Sequence, residues 1–379
     1  MGRQKPWEGG RCGGLPDRQG RRRHRRGTRH RTGGRARRRR RGRGRRRRRL
    51  RRRRRRQVVW AEEYVRSGAP ARSGHIGEKL LAPTLLAHGS PERKAWFLPA
   101  VAAGDELWCQ GYSEPGAGSD LAGVRTRAER TADGSYRITG QKIWTSLAHE
   151  ADWCFVLARS DPGSARHHGL TFLLVPMDQP GRIEVRPIRQ ITGTSDFNEV
   201  HLDGARARAE HVVGAPGDGW RVAMSLLGFE CGVSTLAQQI GFAEELASVV
   251  RTAETAGAAA DPVVRDELVR LWAELRVMRW HALRTLGGTA GPGAPSAVKL
   301  LWAGWHQRLG ELAVRVRGAA AGTGPADWSP SSPYELDAAQ HLFLFSRADT
   351  VYGGSDQIQR TIIAERVLGL PGQPKGTQD

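Results

Sequence analysis

A glycine-rich turn, Glu114–Asp120, is the first stretch whose residue types and spacing could bind a cofactor. Gly116 and Gly118 have the spacing that begins a dinucleotide-binding fingerprint, in which glycines let the backbone approach a pyrophosphate. The third glycine of that fingerprint is missing, because Leu121 occupies its place. The local pattern is strand–turn–strand with no helix start, and Asp133-Gly134 between alternating residues indicates a hairpin. The turn therefore does not indicate a Rossmann domain.

Longer motifs around this turn carry a family resemblance. Tyr112–Asp120 together with Gly140–Ser146 resembles the acyl-CoA dehydrogenase family, and Val351–Arg360 followed by Ile363–Arg366 is a third match. Three motifs at the family's spacing are far more specific than one glycine-rich loop. The resemblance covers residues 57–372 and leaves out the first 56.

The periodicity of the sequence divides the chain into three folded parts and predicts an α+β multidomain protein. Residues 57–107 have helical spacing, and Ser90 before Pro91 predicts a helix N-terminus. Residues 108–215 hold short alternating segments separated by turns, which predicts a β-barrel or sandwich. Residues 216–372 return to helical spacing and predict an antiparallel bundle, followed by a tail at 373–379. The resemblance implies that the first part is a partial N-terminal helical domain, and that the second is the middle β-domain.

Individual elements follow from the same patterns. Strands are expected at 136–143, 153–158, 170–175, 183–188 and 199–202, and helices at 262–286, 296–318, 332–352 and 355–370 after a long first helix from 218. The tryptophans of the helical part are expected in the bundle core and its interfaces, namely Trp272, Trp280, Trp302 and Trp305.

The head of the chain, residues 1–56, has a composition unlike the remainder. It holds 29 of the 61 Lys and Arg residues against two acids, whereas the other 323 residues hold 32 basic and 36 acidic side chains. With almost no apolar residue to bury, this head is expected to be disordered. It is either a polyanion-binding arm, which would make this a nucleic-acid-binding protein, or the translation of a wrong start or frame. The acidic body carries no recognised nucleic-acid module and argues against the first class.

Cysteine and histidine usage points to a metal-free protein of a reducing compartment. Cys12, Cys109, Cys154 and Cys231 form no CxxC pair, and the twelve histidines show no ligand spacing. The head lacks the apolar segment of a secretory signal, and the body has no apolar run near 18 residues. We therefore expect a cytoplasmic protein without a membrane span.

The family resemblance implies a reaction and a cofactor. Dehydrogenation of an acyl thioester needs a base for the α-proton, an acceptor for the β-hydride and donors for the thioester carbonyl. No side chain takes up a hydride, so the resemblance implies FAD. It places the flavin against Tyr112, Ser113, Gly118, Ser119, Trp144, Thr145, Ser146, Ser355 and Gln357. It places the acyl-CoA near Ser119, Tyr352, Gly353 and Gly354.

The expected α-proton base is Glu230. Many family members carry the catalytic Glu in the last loop, where this chain has Gly353, and others carry it on the long bundle helix at a position that matches Glu230. At 100° per residue Glu230 lies about 80° from the centre of the apolar stripe, so a solvated flank is the alternative interpretation. Cys231 replaces the usual Arg, and no Arg-x-x-Phe-Gly segment is recognisable at 251–260.

The resemblance also implies partners. We expect fatty acid beta-oxidation chemistry in a homo- or hetero-tetramer, with electron-transfer flavoprotein as the electron acceptor. The second hypothesis is that the chain is a non-catalytic structural subunit of a hetero-oligomer, and Gly353 and Cys231 favour it. The acyl chain length is left open, and a branched or steroid side chain is not excluded.

Deletion of residues 1–56 is expected to leave flavin content and activity no worse than in the full chain, because the head lacks anything that packs. Any nucleic-acid affinity should disappear with the head, and in the full chain its logarithm should fall linearly with the logarithm of salt concentration. Absorbance of bound flavin and a binding titration at several salt concentrations measure both. A truncated chain that does not fold would show that the head is a true domain.

Overall fold

The computed structural model describes Arg56 and residues 58–69, 74–324 and 335–372, and within these ranges the side chains of 230–237 are outside the description. The predictions for the arginine-rich head up to residue 55 and for the 373–379 tail lie outside the described residues. So do the predictions for the Glu230 and Cys231 side chains.

The first helices form the small N-terminal part. Residues 58–66 are helical (α1), a π-turn at Gly77–Leu81 leads into α2 (Ala82–His88), and α3 spans Pro91–Ala103. Ser90 caps α3 as predicted, since its side chain accepts the Arg93 N–H at 3.3 Å and Pro91 takes the first helical position. Gly104 ends this helix with φ +81°, a left-handed conformation that glycine adopts without steric cost.

The middle of the chain is one eight-stranded sheet. Its strands are β1 Trp108–Gly111, β2 Arg127–Arg130, β3 Tyr136–Ser146, β4 Trp153–Arg159, β5 Leu170–Pro176, β6 Ile183–Ile188, β7 Phe197–Ala207 and β8 Val212–Val213. The order is β6-β7-β3-β2-β4-β5-β8, with β1 parallel to β4. Residues of β5 and β7, which are not neighbours in the sheet, share one buried cluster. The sheet therefore folds over into two layers, and all five predicted strands are present with longer bounds for several.

Strands β4 and β5 are buried on both faces, which explains their unbroken apolar runs. Phe155 of β4 and Phe172 of β5 stack at 5.7 Å on the face that packs against the helices. Val156 and Leu173, one residue further along each strand, point into the layer between the two halves of the sheet. Because successive side chains of a strand point to opposite faces, each of these strands contributes apolar residues to both clusters, the one against the helices and the one inside the sheet.

The helical part begins with α4 (Gly219–Thr255), whose 37 residues extend about 55 Å. Its first turns pack Val222 and Leu226 against the sheet, α2 and the Gly77–Leu81 turn, and its later turns pack Phe242 and Leu246 into the bundle. The bundle continues through α5 (Pro262–Gly287), α6 (Ala294–Arg315), α7 (Ala338–Phe345) and α8 (Asp356–Ile362). Helix α4 thus belongs to both cores.

One expectation for the bundle needs correction. Of the helix predicted at 332–352, the described residues 335–352 have α-helical turns only at Ala338–Phe345, because Asp337 caps its start and the chain tightens into a 3₁₀ turn at Ser346–Thr350. Trp302 and Trp305 are buried in the core, while Trp272 and Trp280 are 52% and 63% exposed on the outer face of α5. Among the described residues, no helix combines the length and the apolarity that a membrane span requires.

Candidate functional site

A buried ion pair joins the two N-terminal motifs. Lys142 on β3 is fully buried, and its ammonium lies 2.8 Å from Oε1 of Glu114 in the glycine-rich turn. The same ammonium donates to the carbonyls of Tyr112 at 3.2 Å and Leu157 at 2.8 Å. Its three N–H groups therefore have three acceptors, two in the stretch Tyr112–Glu114 and one on β4.

Glu114 is satisfied in the same way. Its carboxylate accepts the backbone N–H groups of Arg125 at 2.6 Å and Thr126 at 2.9 Å as well as the Lys142 ammonium. Burial alone would raise the pKa of Glu114, but the charge of Lys142 and these hydrogen bonds hold it below its ordinary value. Burial lowers the pKa of Lys142, and Glu114 opposes that shift. The pair closes the loop from 114 to 126 and fixes it against β3.

The strand β3 changes its register beside this pair. Its pairing with β7 shifts between Lys142 and Thr145, and Trp144 in the bulge has φ +59°. The Ile143 N–H donates to the carbonyl of Ser113 at 2.9 Å, so the bulge is held against the first motif. A non-glycine residue in this conformation costs on the order of 1–3 kcal/mol, and such strain clusters at functional sites. The bulge leaves the Trp144 ring 56% exposed.

Two features next to the bulge fit a bound cofactor. Thr145 is fully buried, yet among the described residues its hydroxyl has no hydrogen-bond partner. Gly116 and Gly118 face open space, since a Cβ atom at either position would meet nothing within 4 Å. The packing of the chain does not require glycine there, whereas close approach of a ligand to the turn would. Ser119 is exposed in the same turn, and Ser146 continues β3 opposite Phe197.

The third motif lies on the bundle. Tyr352 donates its hydroxyl to Oδ1 of Asp349 at 2.5 Å, and the turn that follows packs on α6 beside Lys299. Gly353 and Gly354 have φ values of +63° and +83°, so both adopt left-handed conformations. Ser355 caps α8 by accepting the Ile358 N–H at 3.4 Å, and Gln357 is exposed.

The structure therefore brings together two of the three motifs and places the third on the bundle. Glu230 lies on α4 one helical turn after the buried Leu226 and before the buried Phe242, but its side chain is outside the described residues. Two surface grooves of about 340 and 350 Å³ lie at the far end of α4, around Arg251 and Trp272, and the predicted site residues do not line them.

Sequence reasoning missed the Glu114–Lys142 pair. The signal was available, because Lys142 stands at an inward position of the alternation that starts at Tyr136 and Ile138. A charged side chain at an inward position needs a buried partner of opposite charge. Glu114 is the acid within the neighbouring turn, although its distance of 28 residues along the chain hides the contact.

The family is defined by the comparisons with known proteins. The sequence model of the acyl-CoA dehydrogenase middle domain matches residues 109–205, and that of the acyl-CoA dehydrogenase C-terminal domain matches residues 217–368. The chain belongs to the acyl-CoA dehydrogenase family. It is a FAD-dependent oxidoreductase with the fold of that family, as its sequence predicts.

Individual relatives refine this placement. The acyl-CoA dehydrogenase IpdE1 of Mycobacterium tuberculosis is 57% identical over 322 residues, which span 84% of this chain and 81% of the relative. The acyl-CoA dehydrogenase FadE34 of the same organism is 41% identical over 82% of this chain and 44% of its own length. Among solved structures, the Tcur3481-Tcur3483 steroid ACAD matches with a TM-score of 0.73 at 29% identity, covering 83% of this chain and 80% of that chain. The ChsE4-ChsE5 complex from Mycobacterium tuberculosis matches with a TM-score of 0.69 at 28% identity, covering 83% and 82%.

Replacing Lys142 with Met is expected to lower the free energy of unfolding by about 3–5 kcal/mol, because it leaves the buried Glu114 carboxylate without its cation. The double variant Lys142→Met/Glu114→Gln should lose less than the single one, since it removes the unpaired charge. Urea unfolding followed by circular dichroism measures both. Lys79→Met, at an exposed position of the first π-turn, is the matched control. Equal losses for Lys142→Met and Lys79→Met would contradict the role of the pair.

Proposed function

We propose that this protein removes two hydrogens from the α and β carbons of an acyl-CoA thioester and yields the 2-enoyl-CoA. The observation that carries the proposal is the cradle formed where the Glu114–Lys142 pair joins the glycine-rich turn to the β3 bulge. That cradle offers an open turn, a strained and exposed Trp144, and the unsatisfied Thr145 hydroxyl. These are the properties expected of a pocket shaped for a planar, polar ring.

Residues of the first two motifs are proposed to hold FAD, which supplies the acceptor for the β-hydride when bound. Tyr112, Ser113, Gly118 and Ser119 form one wall, and Trp144, Thr145 and Ser146 form the other. The Thr145 hydroxyl is a donor that has no partner among the described residues. Ser355 and Gln357 are proposed to contact the adenine or pyrophosphate end. Ser119 and the Tyr352–Gly354 turn are proposed to contact the acyl-CoA.

Glu230 is proposed to take the α-proton. Along α4 it follows Leu226, which packs in the cluster between sheet and helices, and precedes Phe242, which packs in the bundle core. A carboxylate in such a segment, desolvated by bound substrate, gains proton affinity. Gly353, at the alternative position, cannot accept a proton.

The substrate class is proposed to be a steroid-derived acyl-CoA rather than a simple fatty acyl-CoA. Support comes from the resemblance to the Tcur3481-Tcur3483 steroid ACAD along most of both chains. The resemblance to the paired ChsE4-ChsE5 complex favours a hetero-oligomer over a homotetramer. The outer face of α5, with Trp272 and Trp280 exposed, offers an apolar surface for such an assembly.

In a hetero-oligomer the base could belong to a partner subunit, and Gly353 together with Cys231 favours a structural role for this chain as a second candidate. Electron-transfer flavoprotein is the proposed acceptor of the electrons, on the resemblance to the family.

The purified protein is expected to be yellow and to lose its flavin absorbance when a matching acyl-CoA is added without oxygen. A panel should include short, medium and long straight-chain acyl-CoAs and steroid side-chain CoA thioesters, and the steroid compounds are expected to bleach the flavin fastest. A protein that stays colourless after soaking with FAD would overturn the cofactor sites. Bound flavin that no compound bleaches would favour the structural-subunit candidate.

Glu230→Gln is expected to slow anaerobic flavin reduction by a factor on the order of 10² to 10⁴, the usual contribution of a positioned base. Flavin and acyl-CoA binding should persist, because the amide keeps the size and hydrogen-bonding capacity of the carboxylate. Glu244→Gln, an exposed change on the same helix, is the matched control and should reduce at the parent rate. Stopped-flow absorbance of the flavin measures all three proteins.

Adding Gly353→Glu to the Glu230→Gln variant should restore part of the lost rate, because family members carry the base at either position. The rescue should be partial, since φ +63° at Gly353 costs a non-glycine residue on the order of 1 kcal/mol or more. Unchanged reduction by Glu230→Gln alone would rule out the helix-borne base.

A further inference from the structure

A histidine in the bundle core lies between two carboxylates. His306 on α6 is 6% exposed, its Nδ1 lies 2.5 Å from Oδ2 of Asp349, and its Nε2 lies 2.9 Å from Oε2 of Glu245. A neutral imidazole has only one N–H group, whereas both ring nitrogens here face acceptors. The geometry therefore requires an imidazolium that donates in both directions.

The acid–base balance of this group agrees with its geometry. Burial lowers the pKa of His306, but its hydrogen bonds to Asp349 and Glu245 and their charges outweigh burial and raise the pKa from 6.5 to about 9. Because the folded value exceeds the unfolded one, the stabilisation is complete below about pH 6.5. It is lost as the pH rises through about 9.

Asp349 connects this imidazolium to the third motif. Its carboxylate is buried, with Oδ2 toward His306 and Oδ1 accepting the Tyr352 hydroxyl at 2.5 Å. Its backbone carbonyl accepts a hydrogen bond from the Lys299 ammonium. The position of Asp349 therefore decides where Tyr352 lies, and with it the start of the Gly353-Gly354 turn.

The charged groups around His306 and Asp349 come from three helices of the bundle. Glu245 comes from α4, Lys299 from α6, and Asp356 from α8, and Lys299 also lies 4.7 Å from the Trp302 ring centre and 5.7 Å from that of Tyr352. Burial lowers the pKa of Lys299, with Asp356 and Asp349 opposing the shift. His306 and Lys299 are the two cations of this cluster, and both lose their protons at alkaline pH. The three carboxylates then keep their negative charges without these cations beside them.

We propose that His306 is a positioning residue that, as an imidazolium held between Glu245 and Asp349, fixes the Tyr352–Gly354 turn for acyl-CoA binding. The effect on the turn follows from the contacts alone. The effect on acyl-CoA rests on the proposed function, which places this turn at the substrate.

Hydrogen exchange measures the effect on the turn without activity. In His306→Gln, amides of the peptide 346–359 should exchange faster by on the order of 10-fold or more at pH 7, because a neutral amide cannot replace two charge-assisted donors. The Val351 and Tyr352 N–H groups, both bonded to the Ala348 carbonyl, are the direct reporters. His201→Gln, which removes a partly buried His–Glu pair on β7, is the matched control and should leave this peptide unchanged. Unchanged exchange in 346–359, or an equal increase in all peptides, would overturn the proposal.

Steady-state kinetics measure the effect on substrate. His306→Gln should raise KM for the acyl-CoA by on the order of 10-fold, with a smaller change in kcat, since the turn binds substrate and transfers no proton. In the parent, KM should rise above about pH 9, and the variant should lack that rise. Glu245→Gln keeps an acceptor for Nε2 and should give an intermediate KM, which also provides a readout if His306→Gln does not fold.

The two hypotheses fail in different ways. A parent enzyme whose flavin no acyl-CoA reduces would overturn the proposed function, while the exchange data would still decide the positioning role. A parent that is active, with the same KM and pH profile in His306→Gln, would overturn the positioning role alone.

Discussion

The cofactor-side motifs depend on the buried contact between the Lys142 ammonium and the Glu114 carboxylate. Moving two charges out of water is costly, and only a complete set of hydrogen bonds offsets that cost. Here the ammonium has three acceptors, and the carboxylate accepts two backbone N–H groups besides the ammonium. Those partners come from Tyr112 just before the glycine-rich turn, from the continuation of that turn toward β2, and from strand β4. The pair therefore fixes the relative positions of these segments in addition to stabilising them.

The bundle repeats this arrangement with different groups. His306 links α4, α6 and the segment that leads to Tyr352 through a buried ring and the buried Asp349 carboxylate, with the partly exposed Glu245 as its second partner. In both places a buried charge network lies directly behind residues that the family resemblance assigns to ligand contact. Apolar packing could hold the same elements together, but a charged hydrogen-bond network also specifies one relative position for them.

Helix α4 connects these two regions, because it packs in both. Its first turns are packed on the sheet through Val222 and Leu226, and its later turns carry Phe242 into the bundle and Glu245 to His306. Glu230 lies on the helix between these two sets of residues. A base at that position would be carried by a helix that is anchored in both cores.

The sequence by itself determined the class of elements and the family. Apolar runs such as Leu170–Val175, the cap at Ser90, and the spacing of three motifs carry that information locally. The tertiary structure decided which of these elements meet. Lys142 and Glu114 are 28 residues apart along the chain, and His306 and Asp349 are 43 apart. The periodicity of neighbouring residues therefore does not predict either contact. Trp272 and Trp280 show the same limit, because helical spacing alone does not distinguish a face covered within the chain from one left open. Local patterns fix secondary structure since they depend on neighbouring residues. Pairing of buried charges depends on the folded path of the whole chain, and for that reason only the tertiary structure revealed it.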